Sequence, residues 1–365
     1  GNILKNLFSK KLNENVEEKV EQVKIKKFIL DPLKKYKELD KEIKTIDDLI
    51  ELGKLYKEKD ECKDEELHLE YPLDLKKLNK LIKPLEKLKN VVGMHSVKKS
   101  IVDQILFFLQ GFNSEDMLHT TIEGPPGVGK TLLGSILSEI YFHLEILQTT
   151  NTKPTFKIVS RGDLVGEYLG QTAAKTQRVI NECEGGVLFI DEAYSLGNKE
   201  KRDSYSKECI DTINQNLSEK KGKFVCIIAG YPDELDSCFF SYNPGLQRRF
   251  PFRYKIEAYD ENELAEILIR KATEEKWICA KDTRTNLQDI LKDNKEQFKN
   301  FGGDMETLLF KIKIAHSRRV VGKHPKYHKI ITEDDVKEGY ELYVNAKNKN
   351  KNLEEIKEVV RGMYL

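Results

Sequence analysis

The pattern of apolar and polar positions changes twice along the chain. Residues 1–80 are rich in Lys and Glu, carry apolar residues at helical spacing and contain almost no glycine. From about residue 85 to 256, short apolar runs alternate with helical patterns, and beyond Tyr259 only helical patterns follow. Apolar runs of four to six residues without alternation are typical of strands buried on both faces, which indicates a parallel sheet covered by helices.

Five such runs predict five strands: Thr120–Glu123, Phe156–Ser160, Val187–Ile190, Phe224–Ala229 and Phe252–Ile256. Asp260 and Glu263 have the spacing of a capping box, so a helix is expected to start there and run toward Trp277. These changes divide the chain into a charged helical N-terminal region (1–80), a sheet-containing core (81–257), a small helical domain (258–344) and a C-terminal part (345–365). The last part is expected to begin with a polar linker, NAKNKNKN, and to end in a short helix.

Composition limits the classes of function. The 365 residues include 62 Lys and Arg against 61 Asp and Glu, so the one-signed excess of a dedicated nucleic-acid binder is missing and no nucleic-acid partner is expected. The six cysteines include no C-x-x-C pair, which favours idle thiols in a reducing compartment. No apolar run approaches 18 residues, and we therefore expect a soluble, cytoplasmic protein.

The segment GPPGVGKT lies between the first predicted strand and a helical pattern. It matches the phosphate loop G-x-x-x-x-G-K-[ST], whose glycines let backbone N–H groups converge on phosphates at a helix N-terminus. Lys130 is expected to reach the β- and γ-phosphates, and the Thr131 hydroxyl to ligate Mg²⁺. The predicted nucleotide-binding residues here are Gly124, Pro125, Pro126, Gly127, Val128, Gly129, Lys130, Thr131 and the adjoining Leu132.

A buried strand-like run, Val187–Ile190, ends in two carboxylates, Asp191 and Glu192. An acidic group at the tip of a strand beside the phosphate loop can hold Mg²⁺ through water, and the next carboxylate can orient and deprotonate the water that attacks the γ-phosphate. Asp191 is therefore the predicted metal residue and Glu192 the predicted general base. Together with the phosphate loop, they indicate hydrolysis of ATP with Mg²⁺.

The order of five motifs resembles the AAA+ ATPases, in particular the branch of the red-type rubisco activases and the stage V sporulation protein K. The motifs are GPPGVGKT, SRGDLVGEYLGQTAAKT, VLFIDEAY, IIAGYPDEL and NPGLQRRF. The resemblance covers residues 85 to 340 or so. It implies an αβα P-loop NTPase core with a five-stranded parallel sheet, an all-helical lid after it, and assembly into a ring, usually a homohexamer.

The resemblance also implies roles for further residues. Val92 and Gly93 fall in the segment that packs on the adenine. Arg249, with Arg248 or Arg253 as alternatives, matches the arginine finger that reaches the γ-phosphate of a neighbouring subunit. Tyr168, Leu169 and Gly170 fall where the family carries its aromatic pore loop, which grips an extended polypeptide.

Two positions depart from the family pattern. Many members carry an asparagine that senses the γ-phosphate at the end of the fourth strand, where this chain reads Ala229-Gly230-Tyr231. Met305 stands where the lid usually offers an arginine to the phosphates. Arg318 or Arg319 is the alternative source of that charge, although each lies several helical turns further on.

The N-terminal residues, GNILKNLFSKK, form an amphipathic pattern that resembles the myristoylated start of ADP-ribosylation-factor GTPases. Acylation of Gly1 together with the lysines would give contact with a membrane surface. Against this, Lys5 stands where Ser or Thr is preferred. A tag remnant at Gly1 and a helix packed on the core are the alternatives.

The function that these features predict is ATP hydrolysis in a ring that remodels or threads a protein substrate. Two alternatives stay open at this point. One is a nucleotide-switched scaffold with little hydrolysis, and the other is a nucleic-acid motor on the same core. The near-neutral charge disfavours the motor.

Overall fold

The computed structural model describes residues 34–56, 71–112, 116–168 and 170–363, with side chains up to residue 349. The amphipathic segment that begins at Gly1 therefore lies outside the described residues, as does Leu169 of the predicted pore loop. Within the described ranges, no helix is long and apolar enough to cross a membrane.

Helices lead into the sheet domain: α1 (Ile46–Gly53), α2 (Leu75–Lys80), α3 (Ile82–Asn90) and α4 (His95–Leu109). The Thr45 side chain caps α1 and forms a capping box with Asp48. Leu49, Leu78 and Leu88 are fully buried in one apolar cluster with Ile101 of α4. The described part of the predicted N-terminal region thus packs on the core rather than standing apart from it.

The sheet consists of five parallel strands: β1 (Thr120–Glu123), β2 (Phe156–Val159), β3 (Val187–Ile190), β4 (Val225–Gly230) and β5 (Phe252–Lys255). Their order in the sheet is β2-β3-β4-β1-β5. In register, Ile122 lies opposite Ala229 on one side and Tyr254 on the other. The predicted fold class is confirmed, and every predicted strand is found within one residue of its expected ends.

The strand that ends in the two carboxylates, β3, is not adjacent to β1, because β4 lies between them and pairs with both. Chain order does not set spatial order in a parallel sheet, since each crossover can return to a non-adjacent position. The carboxyl ends of all five strands still share one edge, so Asp191 and the phosphate loop meet there.

The two faces of the sheet are covered by different helices. These are α5 (Lys130–His143), α6 (Arg161–Leu164), α7 (Thr172–Glu182), α8 (Ser204–Glu219) and α9 (Pro232–Cys238). Val187 and Phe189 face the cluster that includes α4 and α5, whereas Leu188 and Ile190 face the cluster with α7, α8 and α9. This alternation follows from the two-residue period of a strand, and it explains why the strand is apolar throughout.

The domain that follows, called the lid below, has its own apolar core. Its helices are α10 (Glu261–Glu274), α11 (Thr283–Asp293), α12 (Gly302–Val320) and α13 (Glu333–Met363). The predicted capping box of Asp260 and Glu263 is present. The sequence did not predict β6 (Ile278–Cys279) and β7 (Ile330–Ile331), which pair in parallel. Two residues are too few to give a periodic signal.

The polar linker predicted at residues 345–352 is instead part of α13. The segment contains no glycine or proline, and lysine is a good helix former. Contacts with the rest of the lid extend into it, because Lys347 donates a hydrogen bond to the Gln297 carbonyl and Tyr343 donates another at 2.9 Å. Tertiary packing therefore favours a helix in a segment whose composition alone suggested a loop.

Candidate functional site

The phosphate loop connects β1 to α5. Gly127 and Gly129 adopt φ values of +72° and +91°, a region that side chains other than glycine rarely adopt. Gly124 lies so close to β5 that a Cβ there would be 3.0 Å from the Ile256 carbonyl oxygen. The loop therefore needs glycine both for its conformation and for its contact with the sheet.

Lys130 is the first residue of α5 and is buried at the base of the loop. Its Nζ donates hydrogen bonds to the carbonyl oxygens of Gly124 (3.1 Å) and Pro125 (2.9 Å). Burial lowers the pKa of Lys130, and the nearby charges of Glu192 and Asp191 offset part of that shift. The ammonium group thus lies between the loop and the two carboxylates.

The two carboxylates follow β3 directly. Asp191 Oδ1 accepts a hydrogen bond from the Glu192 backbone N–H at 3.0 Å. Glu192 adopts a left-handed backbone conformation, with φ 49° and ψ 47°. Its Oε2 is buried and has no hydrogen-bond partner in the part of the chain that the structure describes. A buried carboxylate oxygen without a partner is costly, and strained backbone of this kind clusters at functional sites.

These groups fit a bound Mg²⁺–nucleotide. A cleft of about 980 Å³ runs along the carboxyl edge of the sheet, between core and lid. Its lining includes the loop residues Gly127, Gly129, Lys130 and Thr131, both carboxylates, and Leu132, whose side chain is 53% exposed. The orphaned Glu192 oxygen and the inward-turning loop suit an anion with its metal ion.

The adenine-side prediction falls at one end of the same cleft. Val92 lines the cleft next to Val91. Gly93 is buried at φ +68°, and a Cβ there would lie 3.0 Å from the ring of Tyr259. Tyr259 itself lines the cleft, although the sequence analysis gave it no role.

The lid forms the opposite wall of the cleft with charged residues that the sequence analysis did not predict. Arg270 and Lys271 of α10 line the cleft, as does Glu306 of α12. Lys271 forms an ion pair with Glu306, and Arg270 Nε bonds Glu266 Oε1 at 2.6 Å. The signal that could have revealed them is the pair of cations on the helix that starts at the capping box.

Met305 is fully buried within the lid core and does not line the cleft. The suggested substitutes do not line it either. Arg319 Nε donates to Asp335 Oδ1 at 2.7 Å, and Arg318 Nη1 donates to Glu338 Oε1 at 3.1 Å. The prediction that Arg318 or Arg319 replaces the missing lid arginine in the cleft is therefore wrong.

Tyr231 follows β4 directly, where many family members carry the sensing asparagine, and Tyr194, from the turn after Glu192, lies beside it. The rings of Tyr194 and Tyr231 lie 6.0 Å apart, and Lys130 Nζ lies 5.6 Å from the centre of the Tyr231 ring. Gly230 makes room for them, because a Cβ there would be 2.8 Å from Tyr194 Cδ1. Burial and the neighbouring Glu192 carboxylate raise the pKa of Tyr194.

The three candidate finger arginines differ in their surroundings. Arg253 is engaged within its own chain by Glu123, by Asp236 at 3.2 Å and by the face of Phe240. Arg249 Nε donates to Ser218 Oγ at 2.7 Å, and its Nη1 donates to the Gly245 carbonyl at 2.8 Å.

Arg248, by contrast, is exposed. Arg248 and Arg249 follow one another in a short 3₁₀ turn outside the cleft of their own chain.

Tyr168 and Gly170 of the predicted pore loop do not line the nucleotide cleft. The Tyr168 side chain is 67% exposed. Gly170 has φ +82°, and apart from its chain neighbours no atom of the described residues lies within 4 Å of where its Cβ would be. The loop thus presents an aromatic ring to solvent beside a glycine in a left-handed turn.

Comparison with known proteins identifies the family. Residues 120–254 match the model of the AAA family, the ATPases associated with various cellular activities. A putative CfxQ-like protein of Acanthamoeba polyphaga mimivirus is 42% identical over 312 residues, which cover 84% of this chain and 74% of the relative. This chain belongs to the AAA family of ATPases. It is an ATPase, and its cofactors are ATP and Mg²⁺.

Other relatives place this ATPase in the predicted branch. The stage V sporulation protein K of Bacillus subtilis is 36% identical, over 58% of this chain and 66% of that protein. CfxQ of Xanthobacter flavus is 30% identical, over 57% and 67%. Among solved structures, the FIGL-1 AAA domain in complex with ADP resembles the fold, with a TM-score of 0.51 at 20% identity, over 70% of this chain and 83% of that domain.

Proposed function

We propose that this ATPase works as a ring, a homohexamer, that pulls a protein substrate through its central pore. The observation that carries the proposal is the exposed ring of Tyr168, two residues before a glycine with φ +82°. An aromatic side chain offers a large contact area to any extended chain, independent of its sequence. The net charge of +1 gives no basic surface excess to attract nucleic acid.

Hydrolysis is assigned to the residues at the carboxyl edge. Lys130 would exchange its two loop carbonyls for the β- and γ-phosphates of ATP, and Thr131 and Asp191 would hold Mg²⁺. When bound, the metal ion would neutralise the charge that develops on the phosphates. Glu192, with one buried oxygen unpaired among the described residues, orients the attacking water and takes its proton.

The arginine finger requires a second subunit. Arg249 is held by Ser218 and Gly245, and a guanidinium fixed in place loses little entropy when it meets a neighbour's γ-phosphate. We assign the finger to Arg249 and a supporting role to the exposed Arg248. Mixing Arg249→Ala with Lys130→Ala subunits tests this, because a shared site regains activity only where an intact loop meets an intact finger.

Arg161 supports a mechanical link between hydrolysis and the pore. It opens α6, which leads to Tyr168. Its Nη1 donates to the carbonyls of Ser195 (2.9 Å) and Leu196 (3.1 Å), in the turn that follows Glu192. Its Nη2 donates to Asp203 Oδ2 at 2.7 Å, at the end of the charged loop before α8. A shift at the hydrolytic site therefore reaches the pore loop through one side chain.

The test uses the protein bound to ATP and blocked by Glu192→Gln. Proteins that copurify with this trapped form are identified by mass spectrometry, and the trap is repeated with Tyr168→Ala and with Tyr168→Phe. Threading predicts loss of the bound proteins with Ala and retention with Phe, since Phe keeps the ring. Unchanged capture by Tyr168→Ala would remove the threading mechanism.

Sedimentation of the same trapped protein reports the size of the assembly. Steady ATPase activity stimulated by DNA or RNA, and by no protein, would favour a nucleic-acid motor instead.

A further inference from the structure

Two consecutive carbonyls of the phosphate loop are bound by the lid side of the cleft. The Gly302 backbone N–H donates to the Gly127 carbonyl oxygen at 2.9 Å. The Tyr259 hydroxyl donates to the Val128 carbonyl oxygen at 2.7 Å. Gly302 is the first residue of α12, and Tyr259 lies between β5 and α10.

The approach between the loop and α12 is close. A Cβ on Gly302 would lie 2.6 Å from the Gly127 carbonyl oxygen, well inside van der Waals contact. A Cβ on Gly127 would overlap the Asn300 carbonyl oxygen. By contrast, apart from its chain neighbours and the backbone of its own helix, a Cβ on Gly303 would meet its nearest atom, Asn300 Cβ, only at 4.0 Å. The contact thus depends on glycine at 127 and 302 and tolerates a side chain at 303.

Tyr259 contacts the phosphate loop, the segment before α4 and the lid. Its ring packs against the buried Gly93 of the adenine-side segment. It also makes an edge contact with Phe301 of the lid, at 6.3 Å between ring centres. The hydroxyl then reaches the phosphate loop. One side chain therefore contacts both ends of the nucleotide cleft and the start of α12.

We propose that Tyr259 is a positioning residue for ATP binding and that, with the Gly302 backbone, it couples the lid to the phosphate loop itself. A peptide unit is a rigid plane whose C=O and N–H point in opposite directions. The Gly127 carbonyl shares its plane with the Val128 N–H, and the Val128 carbonyl shares its plane with the Gly129 N–H. When the lid side holds both carbonyls, it fixes the direction of the two donors that face the phosphates.

Coupling of this kind acts in both directions. Phosphates that bind the N–H groups hold the carbonyls in the orientation that the lid needs, and a docked lid prepares the N–H groups for phosphates. The lid then responds to nucleotide without an arginine at position 305. This accounts for Met305, which packs in the lid core where an arginine was expected.

The experiment measures ATP hydrolysis and amide hydrogen exchange on the full chain with Tyr259→Phe. This change removes one oxygen and keeps the ring. We expect the KM for ATP and the dissociation constant for ADP to rise about fivefold, as for loss of one net hydrogen bond of ~1 kcal/mol. The kcat should change less than about twofold. Tyr327→Phe, at an exposed tyrosine on the lid surface, is the control and should match the wild type.

Hydrogen exchange reports the coupling directly. In the wild-type chain, saturating ADP should slow exchange both in the phosphate loop and at the start of α12. In Tyr259→Phe, saturating ADP should still protect the loop but protect α12 less. Gly302→Ala should show the same uncoupling, whereas Gly303→Ala should keep the wild-type exchange response.

Equal KM and equal protection of α12 in Tyr259→Phe and the wild type would overturn the proposal. So would a fall in kcat at unchanged KM, because Tyr259 would then act on the chemical step. If Tyr259→Phe does not fold, Gly302→Ala against Gly303→Ala decides: an equal exchange response to ADP in both would also overturn it.

Discussion

The two walls of the nucleotide cleft are built on different principles. The core wall consists of side chains at the ends of buried strands and at the start of α5, including Lys130, Asp191 and Glu192. The lid wall touches the phosphate loop through a backbone N–H and a tyrosine hydroxyl. Side chains at fixed spacing form a recognisable sequence motif, whereas a backbone contact requires at most a glycine, which is not specific. The core wall could therefore be predicted from the sequence, and the contacts of the lid wall with the phosphate loop could not.

The largest effect is expected on the core wall. Glu192→Gln keeps the size of the side chain but removes the general base, and loss of such a group costs about 10²- to 10⁴-fold in rate. Phosphate release measured at saturating ATP should fall by that factor, while binding of a fluorescent ATP analogue should persist. Glu296→Gln, at an exposed lid glutamate, is the control. Hydrolysis at the wild-type rate would exclude Glu192 as the base.

The second prediction concerns the departure in the lid. Met305→Arg restores the residue that the family usually carries, but it places a charge in a fully buried site. A buried charge without a partner costs about 3 kcal/mol or more, so the lid should be destabilised rather than repaired. Urea unfolding of the full chain measures this. Met305→Leu conserves volume and should cost less than about 1.5 kcal/mol.

If Met305→Arg proved as stable as Met305→Leu and bound ATP more tightly than the wild type, the position would face the nucleotide. That result would also contradict a lid that responds through the loop carbonyls alone.

The third prediction is that the stability of the core and that of the lid depend differently on pH. His119 is fully buried in the core, where its Nδ1 accepts the Cys226 N–H at 3.0 Å. Burial lowers the pKa of His119 from 6.5 to about 4. Between these two values the unfolded chain binds a proton that the folded chain does not. Stability should thus fall as pH drops through this window, by up to about 1.4 kcal/mol per unit.

In the lid, burial opposes the shift, but hydrogen bonds from Arg319 and Thr332 lower the pKa of Asp335 below its usual 3.8. Its contribution to stability is complete above about pH 4 and is lost as the pH falls further. Hydrogen exchange followed from neutral pH down to about pH 3 should therefore show the core loosening before the lid. His119→Gln should flatten the upper part of the profile, and His324→Gln, at an exposed histidine, should not.

Sequence by itself determined the family, the five strands of the sheet, of which β1, β3 and β4 are buried throughout, the phosphate loop and the two carboxylates after β3. These features depend on local requirements: a strand covered on both faces must be apolar, and a loop that turns its N–H groups inward needs glycine. The spacing of such residues is visible in the sequence alone, and the AAA family match confirms the family.

Only the tertiary structure decided what depends on residues distant in the chain. It inserted β4 between β3 and β1, continued α13 through a polar segment, buried Met305 and brought Gly302 against Gly127. Packing of whole elements sets these contacts, and a single glycine or tyrosine serves many purposes in a sequence. The common physical reason is that a contact between residues far apart in the chain produces no local sequence pattern from which it could be predicted.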